Sequence, residues 1–276
     1  MNELKVARQQ PCNVIVGPDP QRSHFHSLRP RGVLRQSLLA AAMSAAICGW
    51  LVWVAAPDPA LAADGYEAGE VADGGTIQGQ ITYSGKLPTK MVIPDDRDIC
   101  GGPHQQPQIM IGPEQGVQDA VVYLPDVPKG KPWPEVETPR LDNRDCVFVP
   151  QMLAMPPGPL IIVNSDPNLH NTHIFYGRRT AINVALPKQG MEIERELTRP
   201  GILRIECDEH GHMHAAGYVA ANPYYSSTGE SGEFELTDVP PGEYTLVVYQ
   251  RTAGQKEQKV TVEAGKTTTV SIDLAS

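Results

Sequence analysis

Residues 207–214, CDEHGHMH, place one thiol, three imidazoles and one thioether within eight positions. These are the donors that hold copper or zinc. Within the segment Cys207, His210 and Met213 stand as C-x2-H-x2-M, a loop short enough to wrap one ion. A type 1 copper site needs two imidazole nitrogens and one thiolate in a roughly trigonal plane, with a weak axial thioether. One tight loop cannot close that plane by itself. A second stretch, LIIVNSDPNLHNTHIF at 160–175, offers an apolar strand, a turn at 164–168, and then His170, Asn171, Thr172 and His173.

Other readings of the same side chains are duller. Cys207 alone would be a buried thiol or a disulfide partner, and Met213 alone would be core filling. His173 reads as a satisfied structural histidine, because on a strand Asn171 lies between it and His170. His212 and His214 read as solvent-facing, and are candidates for extra metal ligands together with His173. A thiol enzyme would need an oriented base and an oxyanion site, whereas Asp208 and Glu209 flank the thiol and would raise its pKa. The spacing H-E-x-x-H of zinc hydrolases is absent. The pattern therefore points to a metal-binding protein and not to an enzyme.

Strands must position these loops. Ile77, Gly79, Ile81 and Tyr83 alternate in TIQGQITY, Leu203, Ile205 and Cys207 in GILRIEC, and Phe234 and Leu236 in GEFEL. Tyr244, Leu246 and Val248 alternate in EYTLVVY, and Val270, Ile272 and Leu274 in TTTVSIDL. Period two repeated at this spacing predicts an all-β chain of sandwiches or barrels. VQDAVVYL and PLIIVN are apolar runs with the β-branched content of buried strands. No long helical stretch with caps stands out.

Residues 1–63 read as a signal peptide or membrane anchor. Arg22, Arg29, Arg31 and Arg35 precede an apolar run at 38–56, and Ala60 to Ala63 supply an A-x-A-like cleavage site. The expected location is periplasmic, anchored to the inner membrane if the segment stays uncleaved. It holds six of the 23 Lys and Arg and three of the 32 Asp and Glu, leaving 17 basic and 29 acidic side chains in the exported part. That balance disfavours nucleic acid and anionic membrane as partners and favours basic proteins. Export also leaves Cys100, Cys146 and Cys207 in an oxidising compartment, where three pairings can form. Because Cys207 sits among potential ligands, Cys100 and Cys146 are the expected disulfide.

Two resemblances sharpen the reading. GTIQGQITYSGKLP and GEFELTDVPPGEYTLVVYQ with TVEAGKTTTVSIDL resemble the first and last strands of the carboxypeptidase regulatory-like, prealbumin-like β-sandwich, with Pro240, Pro241 and Gly242 as one turn and Gly265 and Lys266 as the next. SDPNLHNTHIF with CDEHGHM resembles the two ligand loops of the cupredoxins, the blue copper proteins, above all the amicyanins. LDNRDCVFVP, NSDPNLHN, NVALPKQG and the cysteine loop through NPYY are similar to a bacterial exported family labelled methylamine utilisation or plastocyanin-like.

The cupredoxin resemblance implies one type 1 copper per chain held by His170, Cys207, His210 and Met213, with Asn171 and Asp208 around them. Asp208 stands where cupredoxins usually carry Ser or Thr, which puts its hydrogen bond to Asn171 in question. Gly211 and His212 replace the apolar pair usual at that rim. The implied architecture is a Greek-key cupredoxin-like sandwich over residues 140–222, combined with a prealbumin-like sandwich built from 74–124 plus 223–275. The implied function is single-electron transfer, with His210 in the surface turn as the electron's way in and out, to a c-type cytochrome or a periplasmic dehydrogenase. The alternatives are copper binding and delivery, or a structural, carbohydrate-contacting sandwich with a vestigial site.

Overall fold

A computed structural model describes residues 65–275. The leader expected at 1–63 lies outside the described residues. In chain order the first elements are β1 (Glu67–Ala68), β2 (Gly75–Thr82), β3 (Thr89–Val92), α1 (Arg97–Cys100), β4 (His104–Pro107), β5 (Val121–Tyr123) and β6 (Lys129–Gly130). The middle of the chain forms β7 (Arg140–Arg144), β8 (Val147–Val149), β9 (Met152–Met155), β10 (Gly158–Asn164), β11 (His170–Tyr176) and β12 (Arg179–Leu186). Next come β13 (Met191–Leu197), β14 (Gly201–Glu206), β15 (His214–Val219) and β16 (Tyr225–Ser227). The last four are β17 (Glu233–Val239), β18 (Gly242–Gln250), β19 (Gly254–Val262) and β20 (Thr267–Asp273). The protein is all-β, as the alternating pattern predicts.

One sandwich pairs the sheet β13-β10-β7-β8 with the sheet β12-β11-β14-β15-β9. Leu141, Phe148, Leu160 and Ile162 from the first sheet meet Ile174, Leu186, Leu203 and Ile205 from the second in one buried cluster. The other sandwich pairs β16-β5-β18-β19 with β17-β2-β20. Its strands come from both sides of the first sandwich in sequence, and Ile77, Ile81, Val122, Leu246, Val248, Phe234 and Val270 fill its core.

Alternation explains how two sandwiches share one body. On β15, Ala215 and Val219 face the first core, while Ala216 and Tyr218 face away from it. On β5, Val122 faces the second core, while Val121 and Tyr123 turn outward. Those outward faces meet each other, with Met152 and Val247, in a third buried cluster. Tyr123 and Tyr218 stack there with ring centroids 4.1 Å apart. A strand buried on both faces reads as a continuous apolar run, which is why VQDAVVYL lacks visible alternation.

Between β2 and β5 the chain leaves the second sandwich as a strap. β3 and β4 pair as an antiparallel hairpin around α1, with Val92 opposite His104. α1 buries none of its residues. Its anchor is covalent: Cys100 is bonded to Cys146, at the turn between β7 and β8, with Cα atoms 5.3 Å apart.

Candidate metal centre

Two connections at one end of the first sandwich carry the donors. The β10–β11 connection is shaped by Asn164, whose Nδ2 donates to the carbonyls of Asn168 and Leu186, both at 2.8 Å. Asn164 Oδ1 accepts from the Asp166 backbone N–H at 3.0 Å. Such side-chain to backbone bonds replace ladder bonds and hold an irregular turn in one conformation. The turn delivers His170 as the first residue of β11. The second connection leaves β14 at Glu206 and rejoins the sheet at His214. It is closed by Met213 N–H donating to the His210 carbonyl at 2.9 Å and Cys207 N–H donating to the Met213 carbonyl at 3.3 Å.

The two connections bring three donors together. Cys207 Sγ lies 4.0 Å from His170 Nδ1 and 3.6 Å from His210 Nδ1. All three donor atoms fall within 4.8 Å of one another. A cation bonded to nitrogen at about 2.0 Å and to thiolate at about 2.3 Å in a trigonal plane separates them by about 3.8 Å, so this spacing fits a single ion. His170, Cys207, His210 and Met213 are buried, Met213 and Cys207 within the same apolar cluster.

Asn171 links the loops. Its backbone N–H points at Cys207 Sγ at 3.4 Å, and its Oδ1 accepts from the Asp208 backbone N–H at 3.2 Å. The question raised by an aspartate at 208 is therefore answered by chemistry common to every residue type but proline: the donor is main chain. The Asp208 carboxylate turns instead to His173 Nδ1, at 3.0 Å. His173 faces that carboxylate, Asn183 and Thr180, away from the cluster of donors. Burial pushes the Cys207 thiol up, opposed by the backbone N–H groups of Asn171, His210 and Glu209. The Glu209 charge raises it further but least of all these causes. Such a thiol keeps its proton at neutral pH until a cation displaces it.

Asp166 was not marked by the sequence reading. Its Oδ2 lies 2.8 Å from His170 Nε2, and Asp166 is itself buried. A carboxylate there accepts a hydrogen bond from Nε2–H, fixing the tautomer that leaves the Nδ1 lone pair toward Cys207. The available signal was an acid four residues before a candidate ligand histidine across a tight turn. Burial pushes the His170 pKa down, and this hydrogen bond opposes it. Cys146 Sγ also lies within 4.8 Å of Asp166 and His170, but its sulfur is committed to the disulfide.

Three expectations change. His210 is 6% exposed: Asn168 Nδ2 is 3.3 Å from His210 Nε2, and the same amide is 3.3 Å from the Asp96 carboxylate of the strap. His212 and His214 are half-buried, and do not face solvent freely. His214 heads β15, 3.7 Å from the Glu206 carboxylate, and its pKa is lowered by burial and by Lys90 on the hairpin. His212 is lowered by burial, by His210 and by His104 of β4. Neither they nor His173 join the donor cluster.

Residues 218–275 match the model of the carboxypeptidase regulatory-like domain. A stretch of 55 residues, 20% of the chain, is 46% identical to a putative rhamnogalacturonase of Neurospora crassa, of whose length the chain spans 10%. Among solved structures, the reduced Cu(I) form of an amicyanin mutant is similar over 31% of this chain and 85% of its own, with 18% identity and a TM-score of 0.27. A purple cupredoxin from Nitrosopumilus maritimus covers 30% of this chain and 99% of its own, with 17% identity and a TM-score of 0.26. A copper-containing nitrite reductase from Thermus scotoductus SA-01 covers 31% of this chain and 23% of its own, with 20% identity and a TM-score of 0.27.

Proposed function

We propose that this protein is a type 1 copper protein that carries single electrons. Its copper sandwich spans 140–222, set into a carboxypeptidase regulatory-like sandwich of 74–124 plus 223–275. His170, Cys207 and His210 would hold the ion, with Met213 as the weak fourth donor. Copper bound there would supply a one-electron couple. The observation that carries the reading is the convergence of two Nδ1 atoms from two separate loops on one buried sulfur.

The protein's own contribution is rigidity and dryness. Asp166 orients one imidazole, Asn171 ties the cysteine loop to the histidine loop, and burial of all four side chains excludes water. Donors held in one arrangement for both oxidation states have little to move when charge changes, which favours electron carriage over release of the ion. The proposed role is that of a carrier in the periplasm, which passes an electron and transforms no substrate. The acidic surface suits a basic partner such as a c-type cytochrome or a dehydrogenase, docking at a rate that falls with salt.

Titration with Cu(II) tests this reading. The expected result is an intense visible thiolate band that saturates at one ion per chain and is absent in Cys207→Ser. Copper taken up without that band, or with the band surviving in Cys207→Ser, would refute it. Rapid loss of copper to a chelator would favour delivery, and no stoichiometric metal would leave a structural sandwich.

A further inference from the structure

Two side chains outside the donor set touch the two imidazoles, and both lead back to the same covalent bond. Asp166 is held by the β7–β8 turn, where Asp145 and Cys146 adopt φ of 54° and 55° in succession. Residues bearing a Cβ avoid this left-handed region, so the surroundings must impose it. Successive residues in that conformation turn their N–H groups toward one point, a small anion cradle. Asp166 fills it, accepting from Asp145 N–H at 2.7 Å and Cys146 N–H at 2.9 Å while its Oδ2 meets His170.

The second arm runs through the strap. Cys100 N–H donates to the Asp96 carbonyl at 2.8 Å, Asp96 Oδ2 accepts from Asn168, and Asn168 Nδ2 packs 3.3 Å from His210 Nε2, a steric contact because the Nε2–H tautomer that frees Nδ1 accepts nothing from an amide N–H. Cys100 Sγ itself lies 4.0 Å from that amide. α1 itself buries none of its residues, and apolar burial in this segment is limited to Val92 and Pro94 ahead of it and to Cys100 against the first core. The bond from Cys100 to Cys146 is the covalent tie between α1 and the turn that holds Asp166.

We propose that the Cys100–Cys146 disulfide is the clamp of the metal centre, positioning His170 through Asp166 and His210 through Asn168, so that its reduction opens the site and speeds metal release. This rests on the metal-binding reading above. The opening step is thiol–disulfide exchange: an external dithiol gives two electrons and two protons, the Cys100–Cys146 bond breaks to two thiols, and the donor closes to its own disulfide. The strap is then free to leave the edge of His210, and the β7–β8 turn loses the bond that helps hold its left-handed pair.

Chelator challenge of the Cu(II)-loaded protein provides the first measurement. Cys100→Ser/Cys146→Ser should lose its thiolate band to EDTA at least about tenfold faster than the parent, and Asn168→Ala should do so by a smaller factor. Adding Asn168→Ala to the double serine variant should speed loss no further, because both act along one path. Loss at the parent rate, or factors that multiply, would overturn the clamp.

A second measurement needs no metal. In the metal-free parent, the His170 ring N–H bonded to Asp166 should exchange slowly with solvent by NMR, and dithiothreitol should make it exchange fast. Unchanged exchange on reduction overturns the proposal, even if the double serine variant fails to fold. If the parent takes up no copper, the metal-binding reading falls and this arm alone judges the clamp.

Discussion

Replacing Asn171 and Asp208 one at a time separates a main-chain tie from a side-chain one. Asn171→Ala removes the acceptor of the Asp208 N–H and the 2.6 Å bond from Nδ2 to Asn183, leaving a half-buried backbone donor without its partner. Two net hydrogen bonds at about 1 kcal/mol each put the cost at about 2 kcal/mol, more if no water reaches the orphan. Asp208→Ala keeps the backbone N–H and loses the carboxylate's contacts with His173 at 3.0 Å and Asn183 Nδ2 at 3.3 Å, made by a side chain that is 48% exposed. An exposed pair of this kind contributes under about 1 kcal/mol. For a body of this size about 2 kcal/mol lowers the melting temperature by roughly 4–8 °C, and the aspartate variant should move by less than half of that. Thermal unfolding of the metal-free, disulfide-intact protein at pH 7.5 measures both. With copper bound, the thiolate band should shift in Asn171→Ala and stay in place in Asp208→Ala. Equal destabilisation, or a larger effect at Asp208, would refute the assignment of the tie to the main chain.

The pH dependence of the metal-free protein follows from His170, His212 and His214, all held below the ordinary imidazole value, in each case chiefly by burial. Unfolding restores that value, so the unfolded chain binds more protons; urea midpoints should climb as pH rises toward about 6.5 and level off above it, and a midpoint that falls over that range would contradict the burial of these rings. Tyr218 is 4% exposed and stacks on Tyr123 between the sandwiches. Tyr218→Ala should cost about 3 kcal/mol and broaden or split the urea transition, whereas a single transition displaced by under about 1 kcal/mol would show that the interface does not couple them. At Gly79 a Cβ would collide with the Val270 carbonyl of the paired strand β20. Gly79→Ala should lower the melting temperature while leaving a bound copper's band unaltered, since the site lies in the other sandwich; a changed band would argue against that separation.

Legibility differed from one residue to the next. Alternation placed β2, β14, β17, β18 and β20, because a strand buried on one face writes its period into the residue types. The boundary between the sandwiches was not legible, because β5 and β15 are buried on both faces and each reads as an unbroken apolar run. Cys207, His210 and Met213 could be picked out by spacing, since they share one short loop. His210 was expected at the surface and is covered, because the amide that meets it belongs to Asn168, 42 positions away and bonded in turn to Asp96.

Residue type and short-range order determined the all-β character and picked out the candidate donors of the cysteine loop, as these depend on chemistry that a side chain carries wherever it sits. Water access, tautomer and the reach of a carboxylate depend on which distant segments come to lie beside the donors. Asp166 is an ordinary turn residue until the β7–β8 turn points two N–H groups at it and His170 comes within 2.8 Å. The strap is an ordinary hairpin until a disulfide ties it to the β7–β8 turn and its Asp96 meets Asn168 beside His210. Those relations belong to three-dimensional packing, where contact energy falls off over a few ångströms and distance along the chain counts for nothing.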